Sequence, residues 1–243
     1  MADGAAACVC VLFYGADDYC YRLARRVLND EMCQFAQTHP DIDFRFGLNA
    51  SSDAIRYFVR HRSLQYFPDA VIVDCQENIY KYPMMRRLFQ SRKISADIVM
   101  WFDDDSCIEP GTDVKTWFAR LQRQISGCDV IGSRYTARFP KEHADWIAAQ
   151  TWYAQKPFSS YVAYATGGWW VAKTDILQQF GWPPPDLQQK QGDVLFGELC
   201  RQQSLSLQHF RDNVWINANE EGVESSVTRK KSYNDKVRTV HGR

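Results

Sequence analysis

Four short runs rich in β-branched and aromatic residues constrain the fold most: CVCVLFYG (8–15), IDFRFGLN (42–49), DAVIVDC (69–75) and DIVMWF (97–102). Helical patterns at about 53–62 and 83–92 separate them, and Tyr21, Ala24, Leu28, Met32 and Phe35 recur at helical spacing after the first run. The reading is strand, one helix, then alternating strands and helices. Such alternation predicts a mainly parallel sheet covered on both faces, an α/β fold. Beyond residue 111 the pattern gives a helix at about 112–126, the strand DVIGSRY, an aromatic segment DWIAAQTWYAQKPF, the stretch YATGGWWVAKTDIL and a helix at about 193–203. Neither a repeat nor a Gly/Ser linker interrupts the chain, so the second half is expected to complete the same globule.

In such sheets ligands collect beyond the carboxyl ends of the strands, where loops and helix N-termini converge. The run DIVMWF ends there in Asp103, Asp104 and Asp105, followed by a turn containing Pro110 and Gly111. Three adjacent carboxylates repel one another and are costly to bury unless a cation or water offsets them. Oxygen donors with no nearby Cys or paired His favour Mg²⁺ or Mn²⁺ shared with substrate phosphates. Strand alternation places Asp103 and Asp105 on one side and Asp104 on the other, which selects Asp103 and Asp105 as the metal pair. A solvated acidic turn is the alternative.

The strand, the DxD and the Pro/Gly turn resemble the family-two glycosyltransferases of the GT-A fold. That resemblance implies a nucleotide-sugar donor, a UDP-sugar, held through Mn²⁺ or Mg²⁺ with Asp103 and Asp104 among the donor contacts. It divides the globule into a donor-binding half, residues 1–111, and an acceptor-binding half, residues 112–243. VCVLFYG looks like the family's opening strand and loop, making Tyr14, Gly15 and Asp17 nucleotide contacts, although Gly15 also suits a plain turn. KYPMMRRLF (81–89) stands where the family uses a helix-borne cation, giving Arg86 first and Lys81 behind it.

YATGGWWVAKTDIL resembles the family's small-residue loop before a strand and helix, under the sugar or acceptor. Gly167 and Gly168 permit close backbone approach, while Trp169 and Trp170 direct one ring to each face, one for stacking and one for the core, or both for the core. QGDVLFGELC matches loosely the family's acidic pair at a helix start. Gly192 replaces the first acid and Asp193 keeps the second, the general base for inverting transfer; a helix cap is the plainer role for Asp193.

The tail VTRKKSYNDKVRTVHGR is basic, and the resemblance makes His241 a metal ligand and Arg238 and Lys230 phosphate partners. The sequence carries 29 basic and 29 acidic residues, so net charge names no partner. MADGAAACVCVLFYG lacks a basic leader pattern and no apolar stretch approaches the ~20 residues of a membrane helix, which predicts a cytoplasmic protein, monomeric or weakly dimeric, with reduced cysteines. Cations interleaved with aromatics in SRYTARFPK, WIAAQTWYAQKPF and the tail suit nucleic acid. The chain also resembles compact bacterial and phage family-two enzymes, some of which glycosylate hydroxymethylated DNA bases, so such a base is a candidate acceptor. Two rivals remain: a nucleotidyltransferase, against which YGADDYCYR is acidic where a basic phosphate loop is wanted, and a non-catalytic binding domain.

Overall fold

The structure is a computed structural model that describes residues 6–189, 191–216 and 218. The first half runs β1 (Cys8–Tyr14), α1 (Asp18–Val27), α2 (Asp30–Thr38), β2 (Asp43–Asn49), α3 (Asp53–Tyr66), β3 (Val71–Cys75), α4 (Lys81–Gln90) and β4 (Ile98–Asp103). It continues through β5 (Cys107–Ile108), α5 (Val114–Ser126), β6 (Val130–Arg138), α6 (Ala144–Ala148), β7 (Tyr161–Lys173), α7 (Thr174–Gln179), α8 (Gly192–Gln202), β8 (Leu207–His209) and β9 (Val214–Trp215). Among these residues no helix is long and apolar enough to cross a membrane.

A seven-stranded sheet takes the order β3-β2-β1-β4-β7-β6-β8, while β5 and β9 pair separately. β1 pairs in parallel with β2 and β4, and β7 runs antiparallel to both β4 and β6. The sheet is therefore mainly parallel, as the alternation of strands and helices predicts. Val9, Val11 and Phe13 pack into one apolar layer with α1, α2, α3 and α5, and Cys8, Cys10 and Leu12 into the other with α4 and α8. Each fully buried large side chain contributes about 1.5–3 kcal/mol, so two covered faces rather than one hold the sheet. All eight cysteines are buried free thiols, and burial pushes Cys33 and Cys107 up to about 11 and Cys200 to about 12.

One expected helix is two. Its periodicity crosses residues 28 and 29 without a break, yet the Asn29 side chain accepts from Met32 N at 2.9 Å, capping α2, and donates to Ile108 O at 2.8 Å. An Asn that satisfies a free N–H and reaches a second carbonyl competes well with one more helical turn.

Candidate active site

β4 lies between β1 and β7, so its last residue emerges at the middle of the sheet's carboxyl edge. The chain turns at once: Ser106 N donates to Asp103 O at 3.0 Å. Strand alternation therefore ends at Asp103 and does not set the direction of Asp105. Asp103 and Asp104 take different partners. Asp103 Oδ1 accepts from Trp101 Nε1 at 2.8 Å, and Asp104 Oδ2 accepts from Tyr14 N at 3.2 Å. Asp104 and Asp105 are 7% and 2% exposed, which removes the solvated-turn reading.

The second oxygen of Asp103 accepts from Lys81 Nζ at 2.7 Å, and the same ammonium donates to Gly167 O at 2.5 Å and lies 5.6 Å from the Trp101 ring centroid. Lys81 opens α4, and both ends of that helix are fixed. At its C-terminal end the buried Arg45 guanidinium donates to Leu88 O and Phe89 O, a cation on last-turn helix carbonyls, and to Arg92 O just beyond. At its start, Asn49 on β2 accepts from Ile79 N at 2.9 Å and donates to Asn78 Oδ1, while Asn78 donates to the Tyr14 hydroxyl at 3.1 Å. Tyr80 adopts φ 67 immediately before the helix, with its N–H donated to Asn78 Oδ1 at 2.8 Å. The two asparagines thus place Lys81 and Tyr14 at one edge of the cleft.

Gly167 belongs to β7 rather than to a loop ahead of it. Opposite Gly132 and Arg134 of β6 the register jumps from Trp170 to Ala165, so residues 166–169 face a single residue and arch out of the ladder. That bulge carries Gly167 O to Lys81. A Cβ at Gly167 would stand 3.1 Å from Lys81 Nζ and 3.6 Å from Asp193 Cβ, so glycine lets β7, α4 and α8 meet.

Asp193 lies in the first turn of α8, whose cap position is Gln191, and its Oδ1 accepts from Val194 N at 3.0 Å. It is not the cap. Burial raises its pKa above the ordinary carboxylate value, against the opposing pull of Lys81 and of backbone N–H groups that include Gly167. A carboxylate raised in this way is a better proton acceptor near neutral pH. Next to it, a Cβ on Gly192 would come within 3.0 Å of Cζ, Cε2 and the hydroxyl of Tyr82, which is 4% exposed. The Tyr82 ring fills the space that an acid at position 192 would need, which accounts for the missing first carboxylate.

Several expected residues do other work. Arg86 points away from the cleft, donating to Pro184 O at 2.6 Å and Leu187 O at 3.0 Å. Lys81, five positions earlier on α4, is the cation that reaches Asp103. Trp169 is fully buried against Phe102 and Phe210, and Trp170, 4% exposed, packs against Trp101 and Phe196, so neither ring has a face for stacking. Asp17 caps α1 by accepting from Cys20 N at 2.8 Å. Gly15 takes φ 98 in the turn after β1, where its carbonyl accepts from Ser52 N. Gly168 is buried within the bulge. Lys230, Arg238 and His241 lie outside the described residues.

Among the described residues no three His, Cys, Asp or Glu side chains form a ready-made metal shell. The donors at the end of β4 are carboxylate oxygens alone, three of them already accepting from an N–H or an ammonium. This set fits an Mg²⁺- or Mn²⁺-type site built from one or two carboxylates and completed by substrate phosphates, and does not fit a closed protein cage. A cavity of about 450 Å³ lined by Arg25, Asn29, Asp30, Phe58, His61, Arg62 and Gln65 contains none of these residues.

No protein-family model and no curated protein matches the chain. Solved structures do. The mannosyltransferase PcManGT from Pyrobaculum calidifontis, in complex with GDP-Man and Mn²⁺, superposes with a TM-score of 0.57 at 14% identity, over 85% of this chain and 55% of that one. TarS from S. aureus gives 0.54 at 13% identity, over 85% of this chain and 35% of that one. The chain thus spans about half or less of the length of these neighbours, and at such identity the shared property is architecture. The mixed sheet flanked by helices is the GT-A fold of glycosyltransferases.

Proposed function

We propose that the protein is a family-two-like, metal-dependent glycosyltransferase that moves a sugar from a nucleotide-sugar to an acceptor hydroxyl. The observation that carries this reading is the meeting of Asp103, Lys81, Gly167 and Asp193 at the carboxyl edge of the sheet. Residues 1–111 bind the donor and 112–243 the acceptor. Tyr14, Gly15 and the Asp104 carboxylate flank the nucleoside side of the cleft, with a UDP-sugar as the first donor to try.

Asp103 and Asp105 hold the metal in this proposal. A bound Mn²⁺ or Mg²⁺ supplies positive charge to the departing diphosphate. Asp193 takes the proton from the acceptor hydroxyl as its oxygen bonds to the anomeric carbon. The bond from that carbon to the diphosphate oxygen breaks on the opposite side, so the configuration inverts. Lys81 holds Asp103 and the β7 bulge in register with Asp193, so that both ends of the reaction are ordered before substrate arrives. A hydroxymethylated DNA base is the acceptor we favour, on the exposed cations and aromatics of β6 and β7.

The test is Mn²⁺-dependent hydrolysis of the donor, which needs no knowledge of the acceptor. Asp105→Asn is expected to abolish it; hydrolysis at the wild-type rate would remove the proposal.

A further inference from the structure

Neither oxygen of Asp103 is clear of a protein donor. Oδ1 accepts from Trp101 Nε1 at 2.8 Å, and Oδ2 accepts from the Lys81 ammonium at 2.7 Å. The Lys81 and Asp103 side chains are 13% and 14% exposed, so dissolved salt screens the pair little. Two further contacts fix the ammonium, Gly167 O at 2.5 Å and the face of the Trp101 ring. A side-chain cation is therefore built into the place where a metal on Asp103 has to bind.

A divalent ion on Oδ2 would stand beside that ammonium, like charge against like charge at short range. For the bare ion to bind, Lys81 must give up Asp103, and a poorly screened ion pair is broken with nothing to replace it. A nucleoside diphosphate changes this balance. It carries more negative charge than the ion carries positive, so the two together attract the ammonium instead of repelling it. An ammonium that leaves Asp103 then finds a phosphate oxygen, and the ammonium's donors stay paired.

We propose that Lys81 is a specificity residue: as the resident counter-ion of Asp103 it disfavours the bare divalent ion and admits that ion together with a diphosphate. This rests on the transferase reading above and deepens it by naming the form in which the metal enters. The proposal differs in sign from a purely structural role. A lysine that only held β4 against β7 would loosen Asp103 when replaced, and metal affinity would fall. A competing lysine raises metal affinity when its charge is removed.

The experiment is Mn²⁺ binding followed by the electron paramagnetic resonance of the free ion, alone and with saturating UDP or GDP. Lys81→Gln offers Gly167 O a neutral donor, Lys81→Met is a second neutral variant, and Lys81→Arg keeps the charge. Bare Mn²⁺ is expected to bind the neutral variants about 5- to 150-fold tighter than wild type, the usual range for coupling between two binding events, and to bind Lys81→Arg as it binds wild type. With the diphosphate present the gain should disappear, and in an Asp103→Asn background it should be absent. Bare Mn²⁺ bound equally or more weakly by both neutral variants, or a gain that survives Asp103→Asn, would overturn the inference. Absent donor hydrolysis in wild type, with the gain in Lys81→Gln intact, would instead count against the transferase reading.

Discussion

Gly192→Ala is a one-methyl test of why this helix begins without a second acid. The added Cβ would lie closer than 3.0 Å to three atoms of Tyr82, whereas carbon atoms pack best at about 3.5–4.0 Å. The ring must move by roughly 1–2 Å to restore ordinary contact, and at 4% exposure, packed against Trp182, it has nowhere open to go. Overpacking of this kind costs about 1–3 kcal/mol, and the methyl's helix preference returns at most about 1. A net loss of about 2 kcal/mol lowers Tm by about 4–8 °C for a domain of this size. The assay is thermal or urea unfolding of the single and double variants with Tyr82→Ala. Tyr82→Ala alone leaves a cavity costing roughly 3 kcal/mol or more, but in its background Gly192→Ala should cost little, a coupling of about 1.5–2 kcal/mol. A Gly192→Ala protein as stable as wild type, or costs that simply add, would refute the packing explanation.

Two other variants test residues whose roles the fold changed or sharpened. Arg86→Ala should lower stability by about 1.5–3 kcal/mol, through two lost charged hydrogen bonds to carbonyls, while leaving the affinity for nucleoside diphosphate measured by calorimetry unchanged. Weakened nucleotide binding at full stability would return Arg86 to the cleft. Asp193 has a native pKa above its unfolded value, so the native state holds a proton that the unfolded state releases, and stability falls as pH rises through the native value. The Asp193 contribution is complete only below the unfolded value of about 3.9. Asp193→Asn should therefore be more stable than wild type at pH 7, with the difference vanishing on acidification. A variant less stable at pH 7 than wild type would contradict the burial penalty.

The frame was legible because parallel strands buried on both faces read as apolar runs, and the helix patterns between them fix their crossovers. The same two-sided burial misleads at Trp169 and Trp170. Alternation sends the rings to opposite faces, and Trp169 does join one apolar layer and Trp170 the other, but a doubly covered sheet leaves no free face at that depth. Arg86 and Lys81 share one helix, and periodicity alone does not tell which side turns toward β4. The decisive contact lies 22 residues on, at Asp103. Asn49 and Asn78 belong to no sequence motif, and their role appears only when β2 and the loop before α4 are adjacent. The Gly167–Gly168 pair promised close backbone approach, which the arched segment of β7 provides, but a bulge depends on the partner strand's register and is invisible in one strand read alone.

The central claim is that the acidic end of β4 grips a leaving diphosphate through a divalent ion beside Asp193. Unfolding the wild-type protein with UDP or GDP, each with and without Mn²⁺, measures this directly. The account predicts that one nucleotide at 100-fold its dissociation constant stabilises the protein by about 2.7 kcal/mol, or roughly 5–11 °C, only when Mn²⁺ is present, and that Asp105→Asn loses the effect. Equal stabilisation with and without the metal, or none by either nucleotide, would contradict it.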